Sequence, residues 1–149
     1  MVKAIYFDMD GTIADLYGVN GWLDNLIAEQ TKPYRMAKSL VDMRKLGSLL
    51  NHLQNIGYHI GIVSWLSKNG TKQYNDRVTK AKLAWLEKHI GSVHWDEIKI
   101  VEYGTPKSFV VEYPQGILFD DEKPNRMEWD KQGLAFDVDN ILMALENMV

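Results

Sequence analysis

Two aspartates separated by one residue follow a short apolar run near the N-terminus. They are Asp8 and Asp10, and Gly11 and Thr12 come directly after them. A turn at the glycine lets both carboxylates face one point, where like charges repel unless a cation or a shared proton lies between them. A hard cation with oxygen ligands, Mg²⁺ above all, meets that requirement. The spacing therefore indicates a candidate site for a hard cation, with a purely structural turn as the alternative.

A second pair of aspartates shows that spacing alone is a weak signal. Asp137 and Asp139 are also one residue apart, but no long apolar run precedes them and no Gly-Thr follows. For this pair we predict a structural role, in which Asp139 or Asn140 is the N-cap of the last helix. The sequence context therefore singles out the pair at Asp8.

The surrounding elements are predicted from hydrophobic patterning. Short apolar runs, typical of buried parallel strands, cover residues 2–7, 58–63, 98–101 and 116–119. Amphipathic helices are predicted for residues 36–56 and 75–90 and from 139 or 140 to the C-terminus. This alternation predicts an α/β fold, a doubly wound three-layer sandwich with a central parallel sheet, in which ligands bind at the carboxyl ends of the strands.

The segment 8–15, Asp-Met-Asp-Gly-Thr-Ile-Ala-Asp, resembles the first motif of the haloacid dehalogenase (HAD) superfamily of phosphatases. The other three motifs of that superfamily follow in order, each after a predicted strand. Ser64 matches the second motif, Lys107 the third, and the pair Asp120 and Asp121 the acidic fourth motif. The resemblance spans residues 8 to 121 and implies a HAD-like Rossmannoid fold.

The resemblance also implies a mechanism, that of a Mg²⁺-dependent phosphomonoester hydrolase. Asp8 is the implied nucleophile that forms an aspartyl-phosphate, and Asp10 the general acid and base. The implied Mg²⁺ ligands are the side chains of Asp8 and Asp120 and the backbone carbonyl of Asp10, assisted by Asp121.

Ser64 and Lys107 are the implied phosphate ligands, and Lys107 also neutralises the nucleophile. Taken alone, Ser64 is a loop serine and Lys107 a solvated lysine; only the order and the strand context of all four motifs favour the catalytic interpretation. A catalytically idle HAD domain that serves as a binding module is the alternative from another functional class.

The chain of 149 residues predicts a single domain, residues 1–149. The segment 16–35, which precedes the helix predicted for residues 36–56, is the only stretch left to form a cap. We predict a flap or a very small cap there. Its residues Tyr17 and Trp22 either stack on a substrate base or pack the flap onto the body of the protein. Four residues next to the fourth motif either contact the substrate or brace their own loop, and the sequence does not distinguish these roles. They are Glu122, Lys123, Asn125 and Arg126.

Residues 82–91 and 118–125 narrow the resemblance to the deoxyribonucleotidase (5′-nucleotidase type C) family. The first segment is similar to that family's K-x-x-W helix and the second to its acidic fourth-motif region. The sequence departs from the family at Lys123, where Arg is common, and in its shorter cap. The implied substrate is a nucleoside monophosphate. Because a site with so little cap is open, a phosphoprotein or a polynucleotide end is the alternative substrate.

The composition limits the other partners. A net charge of −3 argues against a broad nucleic-acid surface, and the absence of cysteine excludes disulfides and thiolate metal sites. No apolar stretch approaches the roughly 18 residues of a membrane span, so a cytoplasmic enzyme without membrane contact is expected. The sequence does not indicate an oligomeric state. A basic group after the second motif is interpreted as a solvated helix face: Lys68, Lys72, Arg77, Lys80 and Lys82.

Overall fold

A computed structural model describes all 149 residues of the chain. The strands are β1 (Ala4–Phe7), β2 (Ala14–Asp15), β3 (Lys38–Ser39), β4 (His59–Trp65), β5 (Glu97–Val101), β6 (Ile117–Phe119) and β7 (Leu134–Phe136). Five of them form a parallel sheet in the order β5-β4-β1-β6-β7. The strands β2 and β3 form a separate antiparallel pair. The central parallel sheet predicted from the sequence is confirmed.

Helices cover both faces of this sheet. They are α1 (Trp22–Ile27), α2 (Lys32–Met36), α3 (Met43–Asn55), α4 (Lys72–Ile90), α5 (Lys123–Trp129) and α6 (Ile141–Glu146), with a single 3₁₀ turn at Lys107–Phe109. Because side chains alternate along a strand, Ile5 and Phe7 of β1 pack with α3, α4 and α6, while Tyr6 packs with Trp129 of α5. The predicted three-layer sandwich is therefore confirmed. None of the helices is long and apolar enough to cross a membrane.

The strand order contains a topological switch point. From β1 the chain continues to β4 and β5 on one side of the sheet, then returns to β6 and β7 on the other side. The connections that leave β1 and β6 thus run in opposite directions, which leaves a crevice beyond the carboxyl ends of these two strands. In open α/β sheets ligands bind in such a crevice.

The helix predicted for residues 36–56 begins later than expected. Met36 ends α2, Leu40 is 47% exposed, and α3 starts only at Met43. The physical reason is the N-cap, since the side chain of Asp42 accepts hydrogen bonds from the backbone N–H groups of Arg44 and Lys45. That cap fixes the start of the helix and leaves the preceding residues free to form β3.

The buried face of α4 is not purely apolar. The basic residue Lys82 is 1% exposed, whereas the neighbouring Leu83 is 42% exposed. The inward positions are Tyr74, Val78, Ala81, Lys82, Trp85, Leu86 and Ile90. The interpretation of Lys82 as part of a solvated face is therefore wrong, because its helical phase places it between buried apolar neighbours. Trp85 packs in the core.

The C-terminal third contains two elements that the hydrophobic pattern did not predict, α5 and β7. The edge strands β5 and β7 are also partly exposed, so burial on both faces holds only for the inner strands. The last helix begins at Ile141 after Asn140, as expected, but the Asn140 side chain makes no capping hydrogen bond.

The segment 16–35, for which a flap or a small cap was predicted, contains α1 and most of α2 and lies between β2 and β3. Glu29 fastens it to the start of α4, since its carboxylate accepts hydrogen bonds from Thr71 N and Thr71 Oγ1, at 2.8 and 3.0 Å. Tyr74 adds a hydrogen bond from its hydroxyl to the carbonyl oxygen of Gln30 at 2.8 Å. The segment is thus bound to the body of the protein at its far end.

Two leucines of α4 provide a matched test of this packing. Leu86 is 3% exposed and packs in the core, whereas Leu83 lies at the surface. We expect Leu86→Ala to lower the free energy of unfolding by about 2–5 kcal/mol, because it leaves a cavity. Leu83→Ala should lower it by less than about 1 kcal/mol. Urea denaturation of both variants measures the difference, and equal losses would contradict this orientation of α4.

Candidate active site

Three carboxylates meet in the crevice between β1 and β6. Asp8 follows β1, and Asp120 and Asp121 follow β6; one oxygen atom from each lies within 4.8 Å of the others. The register of the sheet causes this, because Phe7 is the pairing partner of Phe119, so that the next residues of both strands emerge side by side. The structure therefore brings together three of the residues predicted to bind metal.

The turn predicted at Gly11 is present. Its φ angle is 82°, in the left-handed region that glycine adopts without strain. A Cβ atom at this position would overlap the carboxylate of Asp121. Glycine is thus required both by the backbone conformation and by the close approach of the acid.

Lys107 lies at the centre of the acidic group. Its Nζ atom donates to Asp8 Oδ1 at 2.8 Å and to Asp120 Oδ2 at 2.7 Å, and the residue is 2% exposed. Burial by itself lowers the pKa of Lys107, but the two carboxylates outweigh it and raise the pKa, so that the ammonium stays charged. An ammonium has three donors, and the third remains free.

One lysine does not balance three carboxylates. Burial, together with the charge of Asp8, raises the pKa of Asp120 to about 6 and that of Asp121 to about 8. Three carboxylates facing one ammonium leave part of the negative charge uncompensated, and burial makes that charge unfavourable. A divalent cation with oxygen ligands would relieve it, so Asp8, Asp120 and Asp121 fit Mg²⁺ by the chemistry of their donors.

Asp10 does not belong to this group of carboxylates and pairs with a different lysine. Its Oδ2 atom accepts a hydrogen bond from Lys82 Nζ at 2.8 Å, while its side chain still lines the cleft. Burial raises the pKa of Asp10, the charge of Lys82 opposes this, and that of Asp8 adds to it, with a raised pKa as the net result. A carboxyl group with a raised pKa is suited to proton transfer.

Lys82 is the residue of this region whose role the sequence analysis missed. It also donates to Ser64 Oγ and to the carbonyl oxygen of Trp65, both at 2.7 Å. The signal that could have revealed it is its phase, since it lies four residues after Val78 and three before Trp85 on a buried stripe.

The structure does not bring the Ser64 side chain to the surface of the cleft. Ser64 lies within β4, is fully buried, and has its hydroxyl against Lys82. The cleft is lined instead by the residues that follow it, 65–69. A role of Ser64 as a phosphate ligand stays a prediction.

The loop after β6 is braced by its own neighbours. Asn125 donates to Asp120 Oδ2 at 3.3 Å, Arg126 donates to the backbone oxygen of Asp120 at 2.9 Å, and the Glu122 N–H donates to Asp120 Oδ1 at 2.9 Å. Asn125 and Glu122 also line the cleft, whereas Arg126 and Lys123 do not. The bracing role therefore holds for Arg126, and Asn125 both braces the loop and faces the cleft.

A cleft of about 460 Å³ lies above the carboxylates. Its walls carry two aromatic pairs: the rings of Tyr17 and Trp22 are 4.9 Å apart, and those of Trp65 and Tyr103 are 4.8 Å apart. Lys68 extends over the Tyr103 ring at 5.8 Å. The site thus combines an acidic floor, suited to a metal and a phosphate, with walls suited to a flat apolar group.

The raised pKa values predict how metal stabilises the protein. The pKa of Asp121 is about 8 in the folded state, whereas an aspartate in the unfolded chain has a pKa of about 4. The protonated side chain therefore favours folding, and this contribution to stability is lost as the pH rises from about 4 through 8. Mg²⁺ binds the ionised form, so its stabilising effect should grow over the same range. We expect a saturating addition of Mg²⁺ to raise the melting temperature by about 5 °C or more at pH 8 and by much less at pH 5.

Thermal unfolding with Mg²⁺ or with EDTA at each pH measures this effect. Asp120→Asn should abolish the gain, whereas Asp139→Asn, in the exposed second pair of aspartates, should retain it. The same gain at pH 5 and pH 8 would contradict the assignment.

The similarity of this chain to known proteins is found in its structure and not in its sequence. No protein-family model matches the chain, and no curated protein matches its sequence. Among solved structures, D,D-heptose 1,7-bisphosphate phosphatase from Burkholderia thailandensis is similar with a TM-score of 0.61 at 11% identity, covering 98% of this chain and 97% of that one.

A HAD family enzyme from Bacteroides thetaiotaomicron, in complex with magnesium and inorganic phosphate, is similar with a TM-score of 0.52 at 10% identity, covering 92% of this chain and 94% of that one. Identities this low show the fold and no more. The predicted HAD-like fold is confirmed: this chain has the same α/β fold as these two enzymes.

Proposed function

We propose that this protein is a Mg²⁺-dependent phosphomonoester hydrolase with Asp8 as its nucleophile. The observation that carries the proposal is the orientation of the Asp8 carboxylate at the floor of the cleft. Its Oδ2 accepts a hydrogen bond from Thr12 Oγ1 at 2.9 Å and its Oδ1 accepts one from Lys107. A carboxylate held at both oxygens next to a group of metal-binding acids can attack phosphorus along a defined line.

The reaction takes place in two steps. In the first, an Asp8 oxygen forms a bond to phosphorus while the bond from phosphorus to the ester oxygen breaks, and the proton of Asp10 passes to the leaving oxygen. In the second, Asp10 takes a proton from water, the water oxygen bonds to phosphorus, and the bond to Asp8 breaks to release inorganic phosphate. Asp10 thus returns to its protonated form, and the cycle is balanced.

The charges around Asp8 support both steps. Mg²⁺, when held by Asp8, Asp120, Asp121 and the backbone carbonyl of Asp10, would offset the charge of the phosphoryl oxygens. Lys107 lines the cleft and has one free donor, so it can donate to a phosphoryl oxygen without leaving its two carboxylates. We propose Lys107 as the phosphate-binding cation of the site.

For the substrate we propose a small phosphate ester with a flat organic group, a nucleoside monophosphate above all. The cleft volume of about 460 Å³ lies within the usual range for small-molecule sites. Aromatic walls can stack on a base, which contributes about 1–3 kcal/mol of binding. The segment 16–35 closes one side of the cleft, which favours a small substrate over a phosphoprotein or a polynucleotide end.

The nucleophile assignment is tested with Asp8→Asn. We expect phosphate release from 4-nitrophenyl phosphate in Mg²⁺ to fall by at least about 10³-fold, because the amide cannot form the covalent intermediate. Asp139→Asn is the matched control and should retain full activity. Residual turnover by Asp8→Asn at the wild-type rate would rule out this mechanism.

The substrate class is tested with Trp22→Ala on a panel of ribo- and deoxyribonucleoside monophosphates, a sugar phosphate and glycerol phosphate. For the preferred nucleotide we expect KM to rise about tenfold with little change in kcat, since stacking stabilises ground state and transition state alike. Trp22→Phe should restore most of the affinity, and glycerol phosphate should be unaffected. An equal rise of KM for all substrates would argue that Trp22 only packs the segment onto the protein.

A further inference from the structure

Lys82 is a buried lysine whose hydrogen-bonding capacity is used up inside the protein. Its Nζ atom donates to Asp10 Oδ2 at 2.8 Å, to Ser64 Oγ at 2.7 Å and to the carbonyl oxygen of Trp65 at 2.7 Å. These three contacts account for all three donors of an ammonium group. The ring of Tyr34, 5.3 Å from Nζ, covers the group, and the residue is 1% exposed.

The two buried lysines of the site are therefore not equivalent. Lys107 has a free donor and lines the cleft, whereas Lys82 has none and does not line it. Lys82 consequently cannot bind a phosphoryl oxygen without giving up an existing hydrogen bond. Whatever it contributes to the reaction must act through the groups that it holds.

Packing alone does not explain a lysine at this position. Its neighbours on the inward face of α4 include Val78, Trp85 and Leu86. An apolar side chain could be buried among them without removing a charged group from water. Burying an ammonium is unfavourable unless every donor is satisfied and its charge is paired. The only carboxylate that pairs with Lys82 is that of Asp10.

The contact divides the two oxygens of the Asp10 carboxyl group between different tasks. Oδ2 is bound to Lys82, while Oδ1 makes no hydrogen bond within the protein and belongs to a side chain that lines the cleft. The other two contacts of Lys82, to Ser64 and Trp65, fix the ammonium to the end of β4. The free oxygen of Asp10 is thus held at a set position relative to the sheet.

We propose that Lys82 is a positioning residue that orients Asp10 for proton transfer to the leaving group. This inference rests on the proposed function and extends it. Oδ1 of Asp10 carries the proton that passes to the ester oxygen as its bond to phosphorus breaks, and it takes a proton from water in the second step. Lys82 keeps its own three protons throughout.

The test compares two esters of the same shape, phenyl phosphate and 4-nitrophenyl phosphate. Phenolate is a basic leaving group that needs a proton, with a conjugate acid as weak as that of tyrosine, whereas 4-nitrophenolate leaves readily without one. In Lys82→Met we expect kcat for phenyl phosphate to fall about 10²-fold and kcat for 4-nitrophenyl phosphate to fall less than about tenfold. KM should change little for either ester, and the exposed Lys80→Met is the matched control on the same helix.

A double-mutant cycle with Asp10→Asn separates positioning from general structural damage. If Lys82 acts through Asp10, adding Lys82→Met to Asp10→Asn should lower kcat for phenyl phosphate by less than about twofold further. A second variant, Lys82→Gln, keeps a polar group at the site in case the methionine variant does not fold. The Mg²⁺-dependent rise in melting temperature should persist in every folded variant.

An equal loss of kcat for both esters, or no loss for either, would overturn the positioning role while leaving the proposed function in place. Additive losses in the cycle would overturn it as well. Wild-type protein that releases phosphate in Mg²⁺ from neither ester and from no member of the nucleotide and sugar phosphate panel would instead refute the proposed function, and this inference with it.

Discussion

The mutual repulsion of buried carboxylates is the constraint on which the rest of this structure depends. Asp8, Asp120 and Asp121 lie within 4.8 Å of one another at the ends of two adjacent strands. Like charges at this distance in a poorly solvated site are unfavourable, and burial, together with the charge of Asp8, raises the pKa values of the two acids after β6. Lys107 offsets part of it, and the remainder makes the site selective for a cation.

The surrounding loops hold this unfavourable arrangement in place. Thr12 orients Asp8, and Asn125 and Arg126 bind the side chain and the backbone of Asp120. Each of these contacts comes from the turn after β1 or from the helix after β6, the two segments that meet at the switch point of the sheet. The topology therefore does more than place the acids, because it also supplies the groups that brace them.

Helix α4 connects the chemistry to the walls of the cleft. Its first half packs against the segment 16–35 through Tyr74 and Val78, and its second half packs on the sheet through Trp85 and Leu86. Lys82 lies between these halves and reaches the carboxylate opposite. One helix thus supports both Asp10, the proposed proton-transfer group, and one wall of the cleft, so that the proposed catalytic and substrate-binding parts rest on the same rigid element.

The sequence by itself determined the buried strands and the acids that follow them. An apolar run that ends in Asp8 or Asp120 predicts a buried strand and also identifies the polar residue at its carboxyl end. Ligand sites of parallel sheets lie at such strand ends, so a local pattern is enough to predict both. Lys107 was identified in another way, by the resemblance of its position to the third motif in the order of four.

Only the tertiary structure decided the roles of Lys82 and Ser64. Hydrophobic periodicity assigns a charged residue to the solvated face, and that rule fails when distant residues satisfy the charge. Lys82 is buried because Asp10, 72 positions away in the chain, and Ser64, 18 positions away, meet it in space. The start of α3 at the Asp42 cap and the exposure of the edge strands likewise depend on which groups are neighbours after folding. A local pattern predicts the secondary structure of its own segment. Whether a charged side chain is buried depends on the oppositely charged and polar groups that other segments bring next to it on folding.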